Sequence, residues 1–146
     1  MYKIYTDGSY KSSTDQGGYA VVITKNDEVI KILNFGYIHT TNNRMELMGV
    51  LHALKYFDTL EMMEIYSDSS YVINSLNGHF VGTWLSSEDS DKKNLDLWKQ
   101  INTLKDRHLV KFKWVKGHNN NKFNELADLY ANISASVINP ETDEKV

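Results

Sequence analysis

The 146-residue chain has no cysteine and one proline, Pro140. Without thiols, neither a disulfide framework nor a thiolate metal centre is possible. No apolar run approaches the roughly 18 residues of a membrane span, and the first residues, MYKIYTDGSY, lack the apolar stretch of a signal peptide. There is no internal repeat, low-complexity tract or linker. What is present is a 41% hydrophobic composition, enough for one core at this length. These features predict a soluble, cytoplasmic, monomeric protein with a single domain over residues 1–138. The remaining residues, 139–146, are expected to form a frayed tail.

The formal net charge of −3 conceals a division along the chain. Residues 92–122 hold nine Lys/Arg against two Asp, or +7, whereas the rest holds seven against seventeen acids, or −10. The basic stretch suits phosphates, although charge alone fits a solvated helix and strand equally well.

Residues 2–7, 17–25 and 28–38 are rich in Val, Ile and Tyr and are joined by short polar turns, which predicts an antiparallel meander. Residues 44–57 switch to helical spacing, with Leu47, Leu51 and Leu54 on one face. A strand is expected over 63–68, a helix over 69–76 capped by Asp68 or Ser69, and a helix over 95–106. A strand over 109–115 and a last helix over 125–137 complete the set. Leu126, Tyr130, Ile133 and Val137 are the expected buried stripe of that helix, and Ala127, Ala131 and Ala135 allow a close approach to the sheet. Residues 77–94 have no clear pattern. A meander followed by alternating helices and strands predicts an α/β fold with a five-stranded mixed sheet, three strands antiparallel and the others parallel, and helices on both faces.

The acids recur at the ends of these elements. Asp7 and Asp68 each close a predicted strand, where ligands of open α/β sheets tend to sit. If those strands are neighbours, the two carboxylates meet. Glu46 lies early in the first helix, and Asp128 is expected in the opening turn of the last. Taken singly, each has a structural explanation: turn former, N-cap, dipole partner, or, for Glu46, the reciprocal member of a capping box begun by Asn43. Gathered together, the four would repel one another unless a cation were present. Hard oxygen donors suit Mg²⁺ or Mn²⁺.

YTDGS (5–9), TTNNRMEL (40–47), YSDSSYV (66–72) and WVKGHNNNKFNELAD (114–128) resemble, in order and spacing, the motifs of type 1 ribonuclease H, across residues 2 to about 135. The resemblance implies a ribonuclease H-like fold. It also implies hydrolysis of the RNA strand of an RNA–DNA hybrid with two Mg²⁺ ions, for which Mn²⁺ is a possible substitute. Asp7 would bridge both ions, Glu46 and Asp68 would hold the ion on the leaving-group side, and Asp128 the ion that delivers water. His118 matches the family's mobile histidine, which assists proton transfer or product release. Asn42 and Asn43 match residues that enter the minor groove, and the backbone of Gly8 and Ser9 would lie beside the 2′-hydroxyl and phosphate path.

Three departures stand out. Ser13 occupies the place of a phosphate-contacting Asn, and Ser70 that of a frequent Gln. Residues 77–91 replace a basic protrusion with a shorter segment that keeps Trp84, has no Lys or Arg, and carries Glu88, Asp89 and Asp91. Hybrid affinity is therefore expected to be weaker. Lys92, Lys93, Lys99, Lys113 and Lys116 compensate in part, and a helper protein could do so in the cell. The alternatives are a non-catalytic nucleic-acid-binding domain of the same fold and another nuclease or strand-transfer enzyme of that fold.

Overall fold

The structure, a computed structural model, describes residues 1–78, 94–117 and 120–144. Trp84, Glu88, Asp89, Asp91, Lys92, Lys93 and His118 lie outside the described residues. β1 (Tyr2–Lys11), β2 (Gln16–Lys25) and β3 (Glu28–Ile38) form the expected antiparallel meander. There follow α1 (Asn42–Lys55), β4 (Met62–Ser67), α2 (Ser70–Asn77), α3 (Leu95–Lys105), β5 (Leu109–Trp114), α4 (Lys122–Ser134) and β6 (Glu141–Thr142).

The sheet order is β5-β4-β1-β2-β3-β6, with β4 parallel to β1 and β5 parallel to β4. Among the described residues it has six strands rather than five. The additional one comes from the segment expected to fray: Glu141–Thr142 pairs in parallel with Tyr37 and Ile38, and Asp143 behind it is 4% exposed. A polar segment with no alternation gives no strand signal. Its two ladder steps and a buried ion pair hold it instead.

The main core lies between the sheet and α1 to α3, where Ile4, Leu47, Leu54, Ile65 and Trp98 are fully enclosed. On the opposite face α4 covers a smaller cluster around Tyr5, Val22 and Ala127. Here the expected stripe is corrected. Leu126 and Tyr130 are half-buried, Ile133 and Val137 are 51% and 39% exposed, and the face against the sheet is Asn124, Ala127, Ala131 and Ser134. The reason is steric. A Cβ on Gly18 would lie 2.5 Å from the Ser134 Cβ, and one on Gly36 would lie 2.1 Å from the Ser134 carbonyl oxygen. The glycines of β2 and β3 form a shallow seat that only a helix face of small residues can enter, as the alanine spacing anticipated.

His52 of α1 stacks on Tyr19, with ring centroids 4.7 Å apart and planes within 6°. Burial, aided by the charge of Lys55, lowers its pKa from 6.5 to about 4. The folded state thus disfavours the imidazolium. The stabilisation is complete above pH 6.5 and is lost as pH falls through about 4. After discounting for partial exposure, the loss should be about 1–2 kcal/mol. Urea midpoints at pH 7 and pH 4.5 should differ less for His52→Phe than for the wild type, and equal differences would remove His52 as a contributor.

Candidate metal centre and its surroundings

The ladder between β1 and β4 ends at Tyr5 and Tyr66. Side chains alternate along strands, so Asp7 and Asp68, each two residues further on, project on the same side of the diverging strands. Asp68 lies just beyond β4, and the cap of α2 is Ser69, whose hydroxyl accepts the Val72 N–H. Of the two cap candidates, the structure selects Ser69. Trp114 Nε1 donates to the Asp68 carbonyl at 3.1 Å, and Gly117 packs so closely that a Cβ there would lie 3.0 Å from Asp68 Oδ2. Trp114 thus anchors the Asp68 main chain, and the lack of a side chain at Gly117 leaves its carboxylate room. Sequence reasoning missed both positioning roles, although WVKG sits inside a motif it quoted.

Glu46 arrives from the other side of the sheet. The N-cap of α1 is Thr41, whose hydroxyl accepts the Arg44 N–H at 3.2 Å, and not Asn43. Arg44 therefore holds the third helical position, and Glu46 lies a further half-turn along. The capping-box reading of Glu46 is excluded by register, since a reciprocal cap requires the third position. Glu46 is 5% exposed and turned inward, and its Oε2 has no hydrogen-bond partner among the described residues. Gly8 makes this approach possible, because a Cβ on it would lie 2.4 Å from the Glu46 amide nitrogen. Its own N–H donates to Asp7 Oδ1 at 2.9 Å.

Asp7, Glu46 and Asp68 can each present a carboxylate oxygen within 4.8 Å of the others. Asp128 stands in the second turn of α4, because the helix begins three residues earlier than expected, at Lys122. Its carboxyl is near enough to act on Asp7, but it is not one of the three whose oxygens meet. Burial, then the charge of Asp68 and the nearby Asp128 carboxyl, raise the Asp7 pKa from 3.8 to about 8. Burial, then the charges of Asp7 and Asp68, push Glu46 well above the usual carboxylate range. Buried acids this close cannot all ionise unless a cation lies among them. An unpartnered buried oxygen on Glu46 and an all-carboxylate donor set fit a hard divalent ion.

Most of the other expected substrate contacts are at the surface. Asn42 and Asn43 are exposed on the first turn of α1, Ser70 is exposed at the start of α2, and Lys116 is exposed beside Gly117. Ser9 is half-buried, with its hydroxyl donating to Asn132 Oδ1 at 2.6 Å. Ser13 is exposed on the hairpin turn two residues beyond Lys11, which itself lies four ladder positions, or roughly 13 Å, along the strand from Asp7. No helix among the described residues is long and apolar enough to cross a membrane.

A family model described as RNase H matches residues 1–136. The chain is 39% identical over 138 residues to ribonuclease H of Pseudoalteromonas atlantica, covering 92% of this chain and 90% of the relative. It is 37% identical over 141 residues to ribonuclease HI of Caulobacter vibrioides, covering 94% of each. Among solved structures, LC9-RNase H1 superposes with a TM-score of 0.74 at 23% identity over 92% of this chain and 71% of that one. LC11-RNase H1, solved in complex with an RNA/DNA hybrid, superposes with a TM-score of 0.69 at 19% identity over 93% and 100%. At those identities the structural likeness concerns the fold.

Proposed function

Because the chain belongs to the ribonuclease H family, we propose that it is an endonuclease that hydrolyses the RNA strand of RNA–DNA hybrids, leaving 5′-phosphate and 3′-hydroxyl ends. The observation that carries this reading is the convergence of Asp7 and Glu46, both buried, with the half-buried Asp68; Asp128 is close enough to act on Asp7, and Glu46 Oε2 is unpartnered among the described residues. The hybrid bound in the LC11-RNase H1 structure supports the substrate class.

Asp7, Glu46, Asp68 and Asp128 would together hold two Mg²⁺ ions, with Mn²⁺ as a possible substitute. Such ions, when bound, stabilise charge on the attacking and leaving oxygens of an in-line displacement. Asp7 would be the shared ligand in this assignment, since it meets Glu46 and Asp68 and also feels the Asp128 carboxyl. Trp114 would anchor the Asp68 main chain, Gly117 would leave room for its carboxylate, and Gly8 would let Glu46 reach the same point. Asn42 and Asn43 would contact base edges and 2′-hydroxyls in the minor groove, where RNA is told from DNA. The backbone of Gly8 and Ser9 would line the phosphate path, with Ser13, Ser70, Trp84 and Lys116 at its margins. His118 would assist proton transfer or product release. The catalytic unit would be residues 1–138 together with the β6 segment that pairs with β3, acting as a cytoplasmic monomer, with a helper protein supplying grip where the acidic segment 88–91 does not.

The test is a panel of end-labelled RNA–DNA hybrid, double-stranded RNA and double-stranded DNA, each with Mg²⁺ and with EDTA. Cleavage of the hybrid's RNA strand, dependent on Mg²⁺, is expected. Binding without cleavage would convert the reading to a non-catalytic nucleic-acid-binding domain.

A further inference from the structure

Arg44 is 2% exposed, yet it stands in the turn of α1 that presents Asn42 and Asn43 outward and leads into Glu46. Its guanidinium is held by two carboxylates from distant parts of the chain. Nε and Nη2 donate to Asp143 at 2.6 and 3.2 Å, and Nη1 and Nη2 donate to Asp96 at 3.0 and 2.7 Å. Nη1 also donates to Asn94 Oδ1 at 3.2 Å. The same Asp143 Oδ2 accepts the Thr40 hydroxyl at 2.8 Å, and the Asp143 N–H donates to the Ile38 carbonyl at 3.1 Å. Asp143 therefore grips the chain on both sides of the Thr41 cap, one residue before it and three after.

Stability is a poor explanation for such an arrangement. Buried ion networks are often matched or surpassed by well-packed apolar side chains, because desolvation offsets most of their Coulombic attraction. A planar guanidinium held by two carboxylate forks does provide fixed orientation, which apolar packing supplies less well. What it orients is the first turn of α1, whose two sides carry the outward asparagines and the inward glutamate.

We propose that residues 141–143 form a clasp that sets the rotation of the first turn of α1, with Asp143 and Arg44 as positioning residues for hybrid recognition by Asn42 and Asn43. The inference rests on the hybrid-cleaving reading above. The clasp acts through the helix, without touching the substrate, so its loss appears in substrate affinity more than in the chemical step.

The experiment compares Asp143→Asn, which keeps the shape but not the charge, and Thr40→Val, which keeps every charge and serves if the first variant folds poorly. The control is Leu104→Ala, a core truncation in α3 beside Lys55 at the far end of α1. At a temperature where all are folded, both clasp variants should raise KM on the hybrid by about five- to tenfold with kcat within about twofold. The double variant should be no worse than the more severe single one, because both remove one grip. Amide exchange at residues 42–46, measured without substrate, should quicken by about tenfold or more in the clasp variants and not in the control. If KM and exchange in the clasp variants match Leu104→Ala, the network is structural only and the proposal falls. If the wild type does not cleave the hybrid, the functional reading fails separately. Exchange at 42–46 then decides the clasp alone: unaltered exchange overturns it.

Discussion

Asp7→Asn should abolish hybrid cleavage and at the same time make the metal-free protein more stable. The loss follows from its place in the cluster, where it meets Glu46 and Asp68 and lies within the influence of Asp128. A neutral amide there weakens every ion the group could hold, which removes several kcal/mol of transition-state stabilisation, or on the order of 10³-fold in rate. The gain follows from the raised pKa. An acid at about 8 in the folded chain and 3.8 ordinarily favours folding fully below pH 4, and this contribution is lost as pH rises through 8. In EDTA at pH 8 the variant should therefore exceed the wild type by on the order of 1–3 kcal/mol, seen as a melting temperature several degrees higher. The difference should vanish near pH 4, and Mg²⁺ should raise the melting temperature of the wild type more than that of the variant. Activity within tenfold of wild type would take Asp7 out of the centre. A lower melting temperature at every pH would mean that Asp7 is a structural residue.

Gly8→Ala should be nearly as damaging to activity although it alters no ligand. The added methyl would lie 2.4 Å from the Glu46 amide nitrogen and 2.6 Å from the Met45 carbonyl carbon, both backbone atoms that no rotamer change can move aside. β1 is held by ladders to β2 and β4, so the start of α1 must retreat and carry Glu46 away from Asp7 and Asp68. A displacement near 1 Å in a catalytic constellation can cost about 10²-fold, and overpacking of this kind costs about 1–3 kcal/mol of stability. Calorimetric Mg²⁺ titration and kcat together test the idea: weaker Mg²⁺ binding with a native circular dichroism spectrum is expected. A variant that binds Mg²⁺ and cleaves as the wild type does would mean that α1 can yield without disturbing the cluster.

Much of this centre was legible before any coordinates. Alternating Val, Ile and Tyr marked the strands, helical spacing marked α1, and the position of Asp7 and Asp68 at strand ends placed them together once the first and fourth strands were neighbours. Local sequence carries these features because strand and helix periodicity are properties of consecutive residues. The helix that joins β3 to β4 is the long connection a parallel return requires, and β4 does run parallel to β1. Motif order added the family, and with it Glu46 and Asp128.

Tertiary structure decided what depends on a partner far along the chain. Whether Glu46 caps its helix or faces Asp7 turned on a cap at Thr41 and on the absence of a side chain at Gly8. Which face of α4 is buried turned on two glycines, about a hundred residues away, that leave room only for alanine and serine, so that Ile133 and Val137 stay at the surface. Residues 141–143 read as a polar tail because nothing local marks a two-residue strand. Arg44 and Thr40, in contact with Asp143 across about a hundred residues, make it part of the fold. In each case the deciding quantity is a steric or ionic complement between surfaces, which no window of consecutive residues contains.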